Sequence, residues 1–209
     1  MQNENPNLLS IAPMMDRTDL HFRNLMRLIS KNILLYTEMI NVNTIIHDQN
    51  KRFNIEADCS SPVALQIGCS DPILAKKAAN IFSKENFQEI NINCGCPSNK
   101  VVNGNFGACL MKEPKKVGEM IEAIKENCDI PVTVKTRIGL DNYDTDQFLE
   151  EFISELDNKN ISTVIIHARI AILKGLSPHE NRTIPPINYE RVKFIKESFN
   201  HIKVIVNGG

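Results

Sequence analysis

The 209-residue chain lacks any stretch long and apolar enough to cross a bilayer, and its opening residues, Met1-Gln-Asn-Glu-Asn-Pro, are polar where a secretory leader would be apolar. This reads as a soluble, cytoplasmic protein with no membrane partner. A surplus of charge of one sign is also missing. The net charge is −1, so bulk electrostatics carry no nucleic-acid footprint, although a local basic face stays open. Metal-type cysteine pairs are absent. The six cysteines are Cys59, Cys69, Cys94, Cys96, Cys109 and Cys128. Without a leader they read as free thiols. Cys94 and Cys96 form C-x-C rather than the C-x₂₋₄-C of zinc sites, and no second Cys or His pair matches them, so no metal is expected. Repeats, low-complexity tracts and internal linkers are lacking too. With 42% hydrophobic and 23% charged residues, the span 1–209 reads as one domain with a sizeable core.

What is present is alternation. Short runs rich in Ile and Val read as strands at Leu8–Met14, Leu34–Met39, Val63–Gly68, Glu89–Asn93, Val132–Arg137, Thr163–Ala168 and Lys203–Asn207. They show little apolar–polar alternation, as expected of strands covered on both faces. Helical patterns separate them. Thr18 is placed to cap Asp19–Ser30, Asp71 precedes Pro72–Phe82, and Pro114 opens Pro114–Asn127. Thr145–Lys159 and Tyr189–Phe199 carry spaced apolar residues, and Asn41–Asp58 reads as irregular with room for one short helix. A strand–helix alternation of this kind implies a parallel α/β sheet. A doubly wound sheet would want a glycine-rich loop after its first strand, but that position reads Ala12-Pro-Met-Met-Asp-Arg. The pattern therefore favours a TIM (β/α)8 barrel, incomplete at about seven strands, since a full one has eight and about 250 residues.

Polar residues gather where the candidate strands end: Gln66, Asn93, Lys135-Thr-Arg137, His167-Ala-Arg169 and Asn207-Gly-Gly209. In a barrel these ends converge on one mouth. Each residue alone has an ordinary explanation: a core amide, a strand-end lysine, a packed histidine. A lysine among buried strand residues, however, needs an anionic partner or a lowered pKa. The most informative stretch runs from Asn91 to Met111. Its strand ends in a Gly-Cys-Pro turn that sets Cys96 in a loop at a carboxyl end, followed by a Gly- and Asn-rich segment able to fold closely around a ligand. A thiol placed there can act as an acid or a nucleophile, whereas a free cysteine elsewhere is usually a small buried hydrophobe. Gly208 and Gly209 suit a phosphate by exposing backbone N–H groups, although such a pair is also an ordinary turn.

These residues resemble a known family. Ala12-Pro-Met-Met-Asp16, Leu35-Tyr-Thr-Glu-Met39, Pro62-Val-Ala-Leu-Gln66, the Asn91–Met111 block and Pro131-Val-Thr-Val-Lys-Thr-Arg-Ile-Gly139 resemble the tRNA-dihydrouridine synthases. So do Ile166-His-Ala-Arg169, Gly175-Leu-Ser-Pro-His-Glu-Asn-Arg182, Ile184-Pro-Pro186 and Asn207-Gly-Gly209. Taken in order, they are similar to the bacterial A-type subfamily over essentially the whole chain. The resemblance implies reduction of the C5–C6 bond of uridine at tRNA positions 20 and 20a. It also implies bound FMN as cofactor, NADPH as reductant, hydride delivery to C6, and a cysteine that protonates C5.

Cys96 matches that acid, and a free thiol, with a pKa of about 8.5, can donate at neutral pH. By the same resemblance Pro13, Met14, Met15, Gln66, Lys135, His167, Asn207, Gly208 and Gly209 contact FMN. Lys135 would lie by the flavin N1–C2 carbonyl, where positive charge favours the reduced anion. Asn93, His179 and Arg182 would contact tRNA, whose target base must swing out of the fold to reach the mouth.

Four positions depart from the family pattern. Ile170 stands for a usual lysine, Ile172 for an aromatic, His179 for a common lysine, and Cys94 for a small apolar residue. Cys94 is read as either a bystander or a second thiol that oxidises with Cys96. The family continues into an eighth strand and a C-terminal helical tRNA-binding domain, both expected to be absent from 1–209, while a full-length protein would be a monomer. Two other classes stay open at this point: a flavin barrel that reduces a free pyrimidine, and a truncated, non-catalytic remnant.

Overall fold

The computed structural model describes residues 9–47, 62–83 and 86–209. Cys59, Leu8 and the part of the Asn41–Asp58 segment from residue 48 onward lie outside them. The strands are β1 (Ser10–Ile11), β2 (Leu34–Tyr36), β3 (Ile40–Asn41), β4 (Val63–Gly68), β5 (Glu89–Cys94), β6 (Val132–Arg137), β7 (Thr163–His167) and β8 (Lys203–Asn207). The helices are α1 (Leu20–Ile29), α2 (Val42–His47), α3 (Pro72–Phe82), α4 (Asn99–Asn103), α5 (Pro114–Lys125), α6 (Asp146–Asp157) and α7 (Tyr189–Ser198), with 3₁₀ turns at Gly107–Lys112 and Glu180–Arg182.

All pairings are parallel, in the order β1-β2-β4-β5-β6-β7-β8, with the two-residue β3 added to the end of β4. This is the strand order of a TIM-type barrel, in which successive strands are neighbours. Among the described residues β1 pairs only with β2 and β8 only with β7, so the sheet is not closed. Sequence expectation and structure agree on these seven strands to within a residue or two, apart from the carboxyl ends of the first two. The first strand is only Ser10–Ile11, because residues from Ala12 enter a turn closed by Arg17 and Thr18 N–H groups on the Met14 carbonyl, at 3.2 and 3.0 Å. The second stops at Tyr36, where Thr37 turns its hydroxyl onto the Glu38 carbonyl at 2.8 Å.

Helix starts follow local chemistry. Asp71, Thr145 and Asn188 cap α3, α6 and α7 by accepting from the N–H of Ile73, Phe148 and Arg191 at 2.7, 3.1 and 3.0 Å. The expected cap at Thr18 is corrected. Asp19 caps α1, accepting from Phe22 N–H at 2.8 Å, while fully buried Thr18 exchanges hydrogen bonds with the Met14 backbone.

Strand alternation sorts side chains to two different environments. One face of β4–β7 presents Leu65, Ile67, Ile90, Ile92, Val132, Val134, Val164 and Ile166 to Ala75, Ala78, Phe82, Val117, Ile121, Phe152 and Ile153 of the helices, and this layer is the hydrophobic core. Burying one such large side chain is worth about 1.5–3 kcal/mol. The other face is polar over Gln66, Asn91, Asn93, Thr133, Lys135, Arg137 and His167, nearly all of them buried. The strands are covered on both faces as expected, but in Glu89-Ile-Asn-Ile-Asn-Cys94 polar and apolar residues alternate strictly between those faces. TIM-barrel interiors are usually filled with branched apolar residues; a polar filling this deep marks a place for polar ligands or for a network.

Candidate active site at the strand ends

The loop after β5 is bound on several sides. Asn93 Oδ1 accepts from Gly95 N–H at 3.1 Å and Cys96 N–H at 2.9 Å, an Asx-type turn. The Cys96 carbonyl accepts from Ala108 N–H at 2.9 Å. Gly107 makes that approach possible: its φ is +77°, and a Cβ there would lie 2.6 Å from the Cys96 oxygen. Phe106 wedges its ring against Gly68 and Gly104, tying the loop back to the end of β4. The Gly- and Asn-rich stretch after the turn is α4 plus a 3₁₀ turn. Within it the Cys96 thiol is half-buried, 3.5 Å from Ser98 Oγ. Cys94 points to the opposite face of β5, fully buried in the core, and burial pushes its thiol pKa up. Both thiols are free.

Next to this loop lies an amide ladder. Gln66 Nε2 donates to Asn91 Oδ1 at 2.8 Å, Asn93 Nδ2 donates to Gln66 Oε1 at 2.9 Å, and Asn91 Nδ2 donates to Thr133 Oγ1 at 2.8 Å. Thr133 donates onward to Glu89 at 2.9 Å, and Tyr36 donates to the same carboxylate. Burial is the main cause that raises the Glu89 pKa, against lowering by hydrogen bonds from Tyr36 and Thr133.

Across from Asn93 in register stands Lys135, and His167 faces Arg137 and Asn207. Lys135 has no hydrogen-bond or ion-pair partner among the described residues, and burial, with Arg137 beside it, pushes its ammonium down to about 7 against the pull of Cys96. His167 is pushed down to about 3, first by burial and then by Arg137, Lys135, Arg169 and Arg182, so its ring is neutral. Its Nδ1 is buried without a hydrogen-bond partner among the described residues, as is Nε of Arg169. Arg137, 5% exposed, is lowered to about 10, by burial before all else, and bonds only to carbonyls: Gly95 at 3.2 Å, Ile170 at 3.3 Å and Asn181 at 2.9 Å. Cations without carboxylate partners and donors without acceptors, gathered at one mouth, make a site for an anion.

Arg137 also links the Cys96 loop to the loop after β7. That second loop is organised by Asn181, fully buried, whose Oδ1 accepts from Ile172 N–H at 2.7 Å while Nδ2 donates to the carbonyls of Ile172, Leu176 and Ser177. Ser177 and Glu180 form a reciprocal capping pair at 2.8 and 3.2 Å. The departures at Ile170 and Ile172 leave this frame intact, because Arg137 and Asn181 hold their backbones, not their side chains. Replacing Asn181 by alanine strands several buried backbone groups. We expect a loss of about 2–4 kcal/mol in urea unfolding, with the midpoint shifted and the slope unchanged.

The remaining expected site residues are distributed as follows. Asn207 and Gly208 lie beside His167: Ala168 N–H bonds the Asn207 carbonyl at 2.9 Å, Gly208 has φ +97°, and a Cβ there would sit 3.1 Å from the His167 ring. Tyr189 donates to the Gly208 carbonyl at 2.8 Å, and Gly209 is exposed next to it. Arg182 is exposed but close enough to act on His167 and Arg137. His179 is exposed on the same loop, with no tie to the mouth. Pro13, Met14 and Met15 occupy the turn after β1, with Met14 and Met15 about half exposed. The structure thus brings Cys96, Asn93, Gln66, Lys135, His167, Asn207 and Gly208 together, while Met14, Met15 and His179 are exposed. A cavity of about 480 Å³ lies apart from this cluster, at the starts of α5 and α6, and none of the expected residues lines it. Sequence reasoning passed over Asn91, Thr133, Glu89 and Asn181 as site builders. The alternation in β5 could have found the first and third; no local pattern marks the other two.

Fold and site together define a (β/α)-barrel protein of the kind that works at the carboxyl ends of its strands, with one thiol set beside a cationic hollow. The chain belongs to the dihydrouridine synthase family: the family model "Dihydrouridine synthase (Dus)" matches residues 10–209. It is 46% identical over 210 residues to the tRNA-dihydrouridine(20/20a) synthase of Shewanella oneidensis, covering 99% of this chain and 62% of that protein. It is 48% identical to that of Vibrio parahaemolyticus over 96% of this chain and 62% of the relative, and 47% identical to that of Escherichia coli K12 over 96% and 58%. The chain spans about three fifths of the length of these curated relatives. No described helix is long and apolar enough to cross a membrane.

Proposed function

We propose that this chain carries the reductive site of a tRNA-dihydrouridine synthase, converting D-loop uridine at positions 20 and 20a to dihydrouridine at the expense of NADPH. The observation that carries this reading is the half-buried Cys96 thiol, held by its backbone beside Lys135, which has no partner among the described residues, and two buried nitrogens, His167 Nδ1 and Arg169 Nε, without one.

The residues fit FMN. Lys135, the buried His167 Nδ1 and the left-handed Gly208 offer positive charge, a nitrogen without a partner and a backbone close approach. These are what a phosphate and an electron-rich ring edge require. Lys135 and Gln66 would hold the ring's polar edge, and His167, Asn207, Gly208 and Gly209 the phosphate side, with Pro13, Met14 and Met15 near the ring. FMN, when bound, supplies the hydride. The chain's own part is to place the base and move one proton. Asn93 keeps one Nδ2 hydrogen beyond its bond to Gln66, available to a base edge. Arg182 and His179 line the approach for RNA. Cys96 protonates C5, with the side chains of Lys135 and Arg137 close by the sulfur that gives up the proton.

The test is dihydrouridine mapping in tRNA from cells with and without the gene, together with flavin absorbance near about 450 nm of the purified chain after FMN is added. Loss of dihydrouridine at 20 and 20a on deletion supports the reading. Unchanged tRNA, or reduction of free uracil or orotate instead, overturns it.

A further inference from the structure

We infer that Glu89, Thr133 and Asn91 are positioning residues. They form a hydrogen-bond relay of one direction that decides which edges Gln66 and Asn93 turn toward the mouth and holds the Cys96 backbone in place. The catalytic consequence rests on the function proposed above; the relay itself does not.

The direction follows from chemistry at both ends. At the mouth, the N–H groups of Gly95 and Cys96 can only donate, so Asn93 must present Oδ1 to them, at 3.1 and 2.9 Å. Its Nδ2 then turns to Gln66 Oε1 at 2.9 Å, which leaves Gln66 Nε2 for Asn91 Oδ1 at 2.8 Å and Asn91 Nδ2 for Thr133 Oγ1 at 2.8 Å. Thr133 has a single hydroxyl proton. Having accepted from Asn91, it must give that proton away, and it does so to Glu89 at 2.9 Å. At that far end the carboxylate can only accept, and it accepts from Tyr36 as well. The amide links among Gln66, Asn91, Asn93 and Thr133 are buried between β4, β5 and β6, where water cannot substitute for a missing partner, and the bonds to Glu89 and to Cys96 N–H at the two ends are part-buried.

Both ends therefore demand the same direction. Reversing Asn93 would set its NH₂ against the Gly95 and Cys96 N–H groups, and reversing Gln66 or Asn91 would set two NH₂ groups face to face inside the ladder. A network satisfied in one direction only is a way of fixing an amide that packing alone leaves free to rotate by 180°, since its O and NH₂ are nearly the same size. Gln66 is such an amide. Glu89 and Thr133 stand at the other end of the relay from the Cys96 loop, yet they settle its orientation.

The decisive variants are Thr133→Val, which keeps shape and removes both roles of the hydroxyl, and Thr133→Ser, which keeps the hydroxyl. Amide hydrogen exchange at Gly95 and Cys96 reads the relay without flavin or RNA. In Thr133→Val we expect exchange at these two amides to rise about five- to tenfold, as for loss of one buried hydrogen bond. Exchange in the Ile90 and Ile92 amides of the same strand should stay unchanged, and Thr133→Ser should restore protection. Where the enzyme is loaded with FMN and given tRNA, the same variant should lower kcat about tenfold, leave flavin content unchanged, and be rescued by serine. Unaltered exchange at Gly95 and Cys96, or a uniform rise along β5 that serine does not reverse, overturns the relay. A local rise in a chain that takes up no FMN supports the relay and sinks the flavin reading instead. If Thr133→Val does not fold, Glu89→Gln supplies the comparison. Its Oε1 can still accept from both hydroxyls, so protection at Cys96 should match the parent chain, and a loss there counts against the directional account.

Discussion

Replacing Cys96 by alanine is expected to lower single-turnover reduction of tRNA by about 10²–10⁴-fold, the usual worth of a general acid, while FMN stays bound. The structure separates these two outcomes. The backbone of residue 96 is held by Asn93 and Ala108, through bonds that any side chain would keep, and the thiol's one hydrogen-bond neighbour is Ser98 at 3.5 Å. The cationic hollow and Gln66 are untouched by the change. Cys94→Ala is the matched control. It removes a sulfur from the core rather than from the mouth, so it should cost stability of about 1 kcal/mol or more through a small cavity and leave the chemical step alone. Equal rates in the Cys96 variant and the parent chain would remove Cys96 from the reaction.

Lys135→Met is expected to act in opposite directions on stability and on ligand binding. In the chain without ligand the ammonium is buried with no partner, and its pKa falls from 10.5 to about 7. Below about pH 7 the lysine is charged in both folded and unfolded forms, and the folded state bears the full penalty. Between about 7 and 10.5 the unfolded chain binds the extra proton, so stability rises with pH across that window. Methionine has neither the charge nor the titration. The variant should therefore melt higher at neutral pH, by about 2–4 °C for each kcal/mol relieved in a chain of this size, and its stability should lose that rise between pH 7 and 10.5.

FMN affinity should move the other way, weakening about ten- to a hundredfold with loss of one charge-assisted contact. In the parent chain affinity should also decline as pH rises above 7, because the anion needs the protonated lysine. Calorimetry with and without FMN at pH 6, 7.5 and 9 measures both. A Lys135→Met chain that melts lower without ligand would show the ammonium to be paired, and one that binds FMN as tightly would take it out of the flavin site.

The elements that could be read directly are those whose cause is local. Proline at Pro72 and Pro114 with polar caps before helices, and dense runs of Ile and Val, are enough to locate α3, α5, β4 and β6 to within a residue or two at either end. The Gly-Cys-Pro turn places Cys96 at a strand end for the same reason. Thr18 was misread because a cap depends on which of two adjacent polar residues points back, and Asp19 does so here while Thr18 is buried in the turn of Met14. Glycine and asparagine after Cys96 mark a segment able to fold closely around a ligand, but they do not say what conformation it takes. Contacts of Phe106 with Gly68 and Gly104, and of Gly107 with the Cys96 carbonyl, fold it into two short helices.

The residues by themselves determined the parallel strand order, the thiol at the end of the fourth long strand-like run, and the set of polar groups available to a mouth. Only the folded chain decided which of those groups face one another. The relay partners are 25 to 44 residues apart, and Arg137 joins two loops that share no sequence pattern. Alternation tells which side of a strand a residue takes, but register across strands, set by how whole elements pack, chooses its neighbour. The charge state of Lys135 and His167 belongs to the same category: it comes first from burial, which the packing of the whole barrel sets, and for His167 also from Arg137 and Lys135 on the neighbouring strand β6.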